Sequence, residues 1–248
     1  MNPSQREIIT LISTANSKFY PGLIVALYTA LENSSGKYDY DVIVLDGGLT
    51  SAEIEKTDRL LSTLAREKNI AINVTNRVLT PEELQILPVR RGSPLTNARL
   101  LVPKLFPDMK KAVYLDSDVV CARGIEDFFE KIDDSFAISA CLDPHRILKS
   151  DRTVRDRIKP SEYEWPYFNA GVIGINVARW REKFDEIIAL LSAENEWKHA
   201  DQSLLNYLFR GQWNRVEPLA NVCLTLRNCA EGSFIKVKAN IHFIGPVK

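Results

Sequence analysis

Short runs of branched aliphatic residues alternate with amphipathic segments through the first half of the chain. This alternation restricts the possible folds more than any other feature of the sequence. Residues 8–13 read as a buried strand, 21–32 as a helix opened by Pro21, and 41–45 as a second strand stopped by Asp46-Gly47-Gly48. Residues 51–68 carry Ile54, Leu60, Leu61 and Leu64 at helical spacing, and 70–74 read as a third strand. Residues 95–106 read as a helix around an internal Pro103, and 111–115 as a further buried strand. Strands that are apolar throughout are buried on both faces, so this order predicts an α/β fold with a mostly parallel, Rossmann-like sheet and helices on both faces.

The second half is richer in β-strand. Residues 136–142 and 171–177 read as strands, 178–193 as a helix and 202–209 as a short helix. Strands are expected at 213–216, 222–226 and 241–244. The polar stretch 143–166, with six Lys/Arg and five Asp/Glu, reads as a surface excursion with room for a helical turn. No repeat or biased tract interrupts the chain, and 248 residues suffice to bury a full core, so one domain spanning 1–248 is expected.

The 32 basic and 32 acidic residues cancel, which argues against bulk nucleic-acid binding, where a basic stripe is expected. Neutrality leaves a small anionic ligand open, since one pocket needs only a few charges. The longest strongly apolar run, residues 22–31, is ten residues and too short to span a bilayer. The N-terminus lacks the basic-then-apolar layout of a signal peptide. Cys121, Cys141, Cys223 and Cys229 contain no Cys-x-x-Cys pair, so reduced thiols in a cytoplasmic protein are expected, although a lumenal fragment freed of its anchor would look similar.

The sharpest chemical signal is Tyr114-Leu115-Asp116-Ser117-Asp118, an apolar strand running directly into two carboxylates. Ligands of parallel sheets sit outside the carboxyl ends of strands. Residues i and i+2 lie about 6–7 Å apart on one side of an extended chain, a separation at which two carboxylates can share a hard cation. A divalent ion there would neutralise a phosphate substrate and stabilise a phosphate leaving group. The plainer alternative is that both aspartates simply end the strand. Haloacid-dehalogenase-type phosphatases resemble the same segment, with Asp116 as nucleophile. They place it on the first strand and follow it with a Gly-Asp-type cluster, which this chain does not do.

Three later clusters carry further candidates. Phe168-Asn169-Ala170-Gly171 offers an amide for a sugar hydroxyl beside residues small enough for close approach, or else a turn before a core strand. Asp201-Gln202 offers a carboxylate and carboxamide at a helix start, or else a plain N-cap. His242-Phe243-Ile244-Gly245-Pro246-Val247-Lys248 offers an imidazole for a metal, a glycine for phosphate approach and a point charge, or else a structural histidine and a solvated tail.

Taken in order, these pieces resemble glycosyltransferase family 8, which includes glycogenin and the bacterial lipopolysaccharide galactosyl- and glucosyltransferases. The similarity begins at Thr14-Ala15-Asn16-Ser17-Lys18-Phe19-Tyr20-Pro21-Gly22. It continues through Asn97-Ala98-Arg99-Leu100, the two aspartates, Phe168-Asn169-Ala170-Gly171 and Asp201-Gln202, and ends in the His242–Lys248 motif. The resemblance implies a GT-A fold, with a nucleotide-binding half of about residues 1–120 and a donor-sugar and acceptor half of about 121–248. It also implies Mn²⁺- or Mg²⁺-dependent, retaining transfer of a hexose, glucose or galactose, from a UDP-sugar to a saccharide or glycolipid acceptor. The alternative is a catalytically silent sugar-nucleotide-binding module on the same fold.

Carried over by residue, the resemblance makes Asp116, Asp118 and His242 the metal ligands. It places Gly245 and Lys248 on the diphosphate, with Thr14, Asn16 and Phe19 around the uridine. Arg99, Asn169, Asp201 and Gln202 contact the donor sugar, Gln202 nearest the anomeric carbon, and Ser117 and Ala170 complete the donor set. Asp143 is an acceptor-side candidate. Two departures stand out. Asn16-Ser17 replaces a stretch that often carries an acidic residue suited to the uracil imide, and the final motif stops at Lys248 where the family runs on to Pro-Trp. The second leads to the expectation of a trimmed chain, or one without the C-terminal segment that contacts membrane or acceptor in bacterial members. That gives a cytoplasmic location with room for peripheral contact at the inner membrane surface.

Overall fold

The structure, a computed structural model, describes residues 6–89, 93–192, 196–224 and 238–244. Alternate residues of the central strands feed two separate cores. In β1 (Ile8–Ala15), Leu11 points to one core and Ile12 to the other. In β2 (Asp39–Asp46), Val42 and Val44 oppose Ile43 and Leu45. β3 (Ile72–Val78) flanks β2, and β4 (Lys111–Leu115) sends Val113 and Leu115 one way and Ala112 and Tyr114 the other. This is the period-two alternation of extended chain with both faces buried, and it is why these strands read as unbroken apolar runs.

One core is covered by α1 (Tyr20–Glu32), through Leu23, Leu27 and Leu31, and by α2 (Ser51–Lys68), through Leu61 and Leu64. A capping box between Thr50 and Glu53 starts α2, and Asn69, left-handed at φ 51°, ends it. Beyond β3 come two short helices, α3 (Pro81–Gln85) and α4 (Val102–Leu105), and after β4 comes α5 (Glu126–Glu130), whose Phe128 and Phe129 join the first core. The other core is covered by a 3₁₀ segment (Leu95–Leu101) and by α6 (Arg152–Arg155), α7 (Val177–Arg181), α8 (Phe184–Ser192) and α9 (Asp201–Leu208).

Among the described residues β3, β2, β1 and β4 are parallel neighbours. The sheet continues through β7 (Pro166–Asn176), antiparallel to β4, then β6 (Ile138–Ile147) and β8 (Asn214–Arg215). A small second sheet joins β5 (Val119–Val120), β10 (Ile241–Phe243) and β9 (Val222–Leu224). The result is the expected α/β architecture, mostly parallel at its centre and richer in β-strand toward the C-terminus.

Several local expectations are corrected. The helix expected over 95–106 is a 3₁₀ run followed by one α turn, because Pro103 has no N–H to extend a regular helix backward. The helix expected over 178–193 is two helices, parted where the Lys183 N–H turns back to the Trp180 carbonyl. The stretch 143–166 is less of an excursion than expected. β6 runs through it to Ile147, with register shifts on either side of Leu142 that accommodate Pro144. The third strand begins at Ile72 rather than residue 70 and runs on to Val78. The strand expected over 222–226 is seen as Val222–Leu224, its last two residues lying outside the described set. Cys121, Cys141 and Cys223 are buried free thiols, while Cys229 lies outside the described residues. No helix among the described residues is long and apolar enough to cross a membrane.

Candidate functional site

β4 ends at Leu115, and Asp116, Ser117 and Asp118 turn at the carboxyl edge of the parallel strands, where an open α/β sheet places its ligands. The turn is anchored on two sides. The Asp116 N–H donates to the Gly171 carbonyl at 2.8 Å. A Cβ on Gly22 would stand 2.2 Å from the Ser117 carbonyl oxygen, so the first turn of α1 sits directly on the motif. β5 follows at once and pairs antiparallel with β10, placing His242 opposite Val119 while the Phe243 N–H donates to the Asp118 carbonyl at 3.0 Å. In this way the small sheet delivers the C-terminal histidine to the two aspartates.

His242 Nε2 lies 3.0 Å from Asp118 Oδ1 and 3.8 Å from Asp116 Oδ2. One ligand atom from each of the three residues falls within 4.8 Å of the other two. On the far side of the ring, Nδ1 is 3.0 Å from Asn169 Oδ1, which also accepts from the Gly171 N–H at 2.8 Å and from Asn221 Nδ2 at 2.9 Å. The backbone N–H can only donate, so it fixes that atom as the amide oxygen, and His242 Nδ1 must carry the proton shared with it. Nε2 is thereby left facing two carboxylates. A Cβ on Gly171 would stand 2.2 Å from His242 Cε1, so the imidazole occupies space that only glycine leaves open. Two carboxylates and an oriented imidazole form a donor set that fits a divalent cation of the Mn²⁺ or Mg²⁺ kind.

Behind this trio lies a buried ionic network. Arg99 Nη2 is 2.6 Å from Asp116 Oδ1, Arg99 Nε is 2.5 Å from Asp201 Oδ2, and Nη1 donates to the Ala170 carbonyl. The guanidinium lies 4.1 Å over the Tyr114 ring. Burial opposes the charge on Arg99, but Asp116 and Asp201 more than compensate and hold its pKa above the ordinary arginine value. Burial raises Asp201 to about 6, with Arg99 pulling it down and Asp116 pushing it up. Arg99, expected to contact the donor, is 3% exposed. Its geometry makes it the link between a candidate metal ligand and the start of α9.

The remaining candidates fall into distinct positions. The Gln202 oxygen accepts the Ala170 N–H at 3.0 Å, which brings the carboxamide beside the Asn169–His242 pair. Asp201 is not the N-cap of α9. Ala200 occupies that place, at φ 53° and ψ −133°, and Asp201 is buried inside the first turn. Asn169 is 2% exposed and its oxygen is engaged in holding His242, Asn221 and Gly171. The Asn16 oxygen accepts from the Lys18 and Phe19 N–H groups, so its acceptor capacity is used in the turn into α1. Phe19 presents an exposed ring, Ser117 is half-buried and Thr14 is buried at the end of β1. Asp143 lies inside β6, 3.1 Å from Arg146. Gly245 and Lys248 lie outside the described residues. Sequence reasoning missed Asn221 and Tyr114, which enter through tertiary contact and carry no local signature.

Comparison with known proteins places this geometry in a lineage. The sequence description of Glycosyl transferase family 8 matches residues 10–248. A Lipopolysaccharide 1,2-glucosyltransferase from Escherichia coli is 26% identical over 83% of this chain and 60% of its own length. Glycosyltransferase GlyB from Streptococcus pneumoniae is 27% identical over 53% of this chain and 29% of its own. The chain therefore spans less than two thirds of these relatives. The crystal structure of the galactosyltransferase LgtC with donor and acceptor sugar analogs superposes with a TM-score of 0.74 at 22% identity, covering 97% of this chain and 88% of LgtC. That likeness is one of fold, and the fold is of GT-A type. The match across nearly the whole sequence establishes that this chain belongs to glycosyl transferase family 8.

Proposed function

We propose that the chain transfers a hexose, glucose or galactose, from a UDP-sugar to a saccharide or glycolipid acceptor, with retention of anomeric configuration and with Mn²⁺ or Mg²⁺ as cofactor. The observation that carries this reading is the convergence of Asp116, Asp118 and His242 at the carboxyl edge of the parallel strands, with Nε2 of the histidine turned toward both carboxylates. These three residues would hold the ion, which when bound neutralises the diphosphate and takes up charge as UDP leaves.

The chain's own side chains do the positioning. Phe19 offers an exposed ring for the base, and Asn16, its oxygen already engaged, has its Nδ2 left as a donor toward a base carbonyl. Thr14, Ser117 and Ala170 line the donor's path, and Gly245 with Lys248 completes the diphosphate contacts. Arg99 acts behind the site, keeping Asp116 and the first turn of α9 in one frame. Asp201 and Asn169 hold that frame, and Gln202 presents its amide nitrogen to the donor sugar.

The state of Gln202 favours one stereochemical route. An amide oxygen bound to the Ala170 N–H is poorly placed to attack the anomeric carbon, and a carboxamide is a weak nucleophile in any case. Retention then follows from attack on the face that the leaving group departs. The acceptor oxygen bonds to the anomeric carbon as the carbon–phosphate oxygen bond breaks, and the acceptor proton passes to a phosphate oxygen of UDP.

Calorimetric titration of UDP with and without Mn²⁺ tests the site. UDP affinity is expected to rise at least tenfold with Mn²⁺ in the wild type and to lose that gain in Asp118→Asn. UDP binding indifferent to the metal contradicts the proposal.

A further inference from the structure

Ala200, the residue before the Asp201–Gln202 pair, is held at φ 53° and ψ −133°, a left-handed backbone region that favours glycine. An alanine stays there only where its surroundings over-determine the conformation. On its C-terminal side the hold comes from the site itself. Asp201 Oδ2 lies 2.5 Å from Arg99 Nε, and the Gln202 oxygen accepts the Ala170 N–H at 3.0 Å. Relaxation of Ala200 toward negative φ would swing the start of α9 and break both contacts.

On its N-terminal side the peptide groups before Ala200 are held from one buried point. The Lys198 N–H donates to Thr153 Oγ1 at 3.1 Å, and the His199 N–H donates to Ser203 Oγ at 2.8 Å. Each of these hydroxyls has one proton, and each directs it to Asp151: Thr153 to Oδ1 at 2.6 Å, Ser203 to Oδ2 at 2.5 Å. A hydroxyl whose proton is committed to a carboxylate presents only lone pairs to its other partners. Asp151 thereby makes both oxygens acceptors for the two N–H groups. It is fully buried, and Tyr167, two residues before Asn169 on β7, donates to it at 3.0 Å. One carboxylate therefore ties α6, the loop before α9, α9 itself and the start of β7 together.

We propose that Asp151 is a positioning residue for glycosyl transfer: through the Thr153 and Ser203 hydroxyls it pins the loop that keeps Ala200 strained, and so aims Asp201 and Gln202. Its catalytic purpose rests on the glycosyl-transfer reading above. Asp151 acts only through the two hydroxyls and the backbone they hold. The strain is what makes the clamp matter. With the clamp loosened, Ala200 relaxes and carries the first turn of α9 with it, whereas a glycine at position 200 has no such drive to leave the observed conformation.

The test is amide hydrogen exchange on the full chain, followed by NMR at Ala170, whose N–H bonds to Gln202, and at Ile173 within β7 as internal reference. In Asp151→Asn, Ala170 is expected to exchange about tenfold faster relative to Ile173. Adding Ala200→Gly is expected to return that ratio to within about threefold of wild type, because residues coupled through one strained backbone are not additive. Ser203→Ala, which leaves the carboxylate in place, is expected to show the same loss and the same rescue, so the outcome does not depend on the folding of Asp151→Asn. An unchanged ratio in both variants overturns the inference. So does a loss that Ala200→Gly fails to rescue, which is what a general loss of stability produces. Metal-dependent release of hexose from UDP-hexose by the same proteins is expected to slow about tenfold in Asp151→Asn and to recover with Ala200→Gly. The exchange pattern with unaltered release overturns the positioning role. The exchange pattern with no release even from wild type keeps the clamp and removes the glycosyl-transfer reading.

Discussion

His242 Nδ1 stands 3.0 Å from Asn169 Oδ1, and this contact decides which imidazole nitrogen faces Asp116 and Asp118. The same amide oxygen takes N–H groups from Gly171 and Asn221, so β7, β10 and the residue preceding β9 meet at one atom. Asn169→Ala is expected to leave the fold intact and to weaken Mn²⁺ binding by about 10–100-fold, the usual effect of removing a partner that orients a metal-binding histidine. Titration followed by the electron paramagnetic resonance of free Mn²⁺ measures it, and unchanged affinity would show that His242 is oriented by other means.

Asp201 makes stability depend on pH in a direction opposite to that of most carboxylates. Burial holds its pKa near 6 in the folded chain, against about 3.9 when unfolded. Its stabilising contribution is complete below the unfolded value and is lost as pH rises through about 6. Relative to Asp201→Asn, which cannot titrate, the wild type is expected to lose about 3 kcal/mol of unfolding free energy between pH 3.5 and 7.5. Urea melts of both proteins across that range check this, and a constant difference contradicts it.

Asp151 shows the usual sign. Burial pushes its carboxyl up, but hydrogen bonds from Ser203, Thr153 and Tyr167 outweigh that and bring it below the ordinary aspartate value. Its contribution is present above the unfolded pKa of about 3.9 and is lost as pH falls through the lower folded value. Asp151→Asn places an amide donor among donors, and it is expected to cost about 1–3 kcal/mol at pH 7. The cost should shrink in acid, as seen by urea unfolding at pH 7 and pH 3.

The parts of the molecule that were legible in the sequence share a physical character. β1, β2 and β4 announce themselves because both faces are buried, which leaves mostly apolar runs, whereas the edge strand β3 has no buried residue and mixes polar with apolar side chains. The Asp116–Asp118 turn is visible because the change from apolar strand to charge is local. What stayed hidden depends on contacts distant in the chain. The enclosure of Arg99 by Asp116 and Asp201 joins residues far apart in the chain and has no local sign in the sequence. The hold of Asn169 on His242 has no local sign in the sequence, because the histidine comes from β10, 73 residues away. Pro144 suggests the end of a strand, and only the shifted register of β6 on β7 shows how the strand passes it. Ala200 has no signature at all, since nothing in its side chain foretells a φ of 53°.

The central claim is that the trio at the end of β4 supports transfer from a UDP-hexose, and turnover of the donor tests it most directly. Incubation with Mn²⁺ and a panel of tritiated UDP-hexoses, without acceptor, is expected to release free hexose slowly from UDP-glucose or UDP-galactose. Release should be abolished by chelation of the metal and by Asp118→Asn. Tight, metal-dependent binding with no release from any member of the panel, or release that survives Asp118→Asn, would contradict the account.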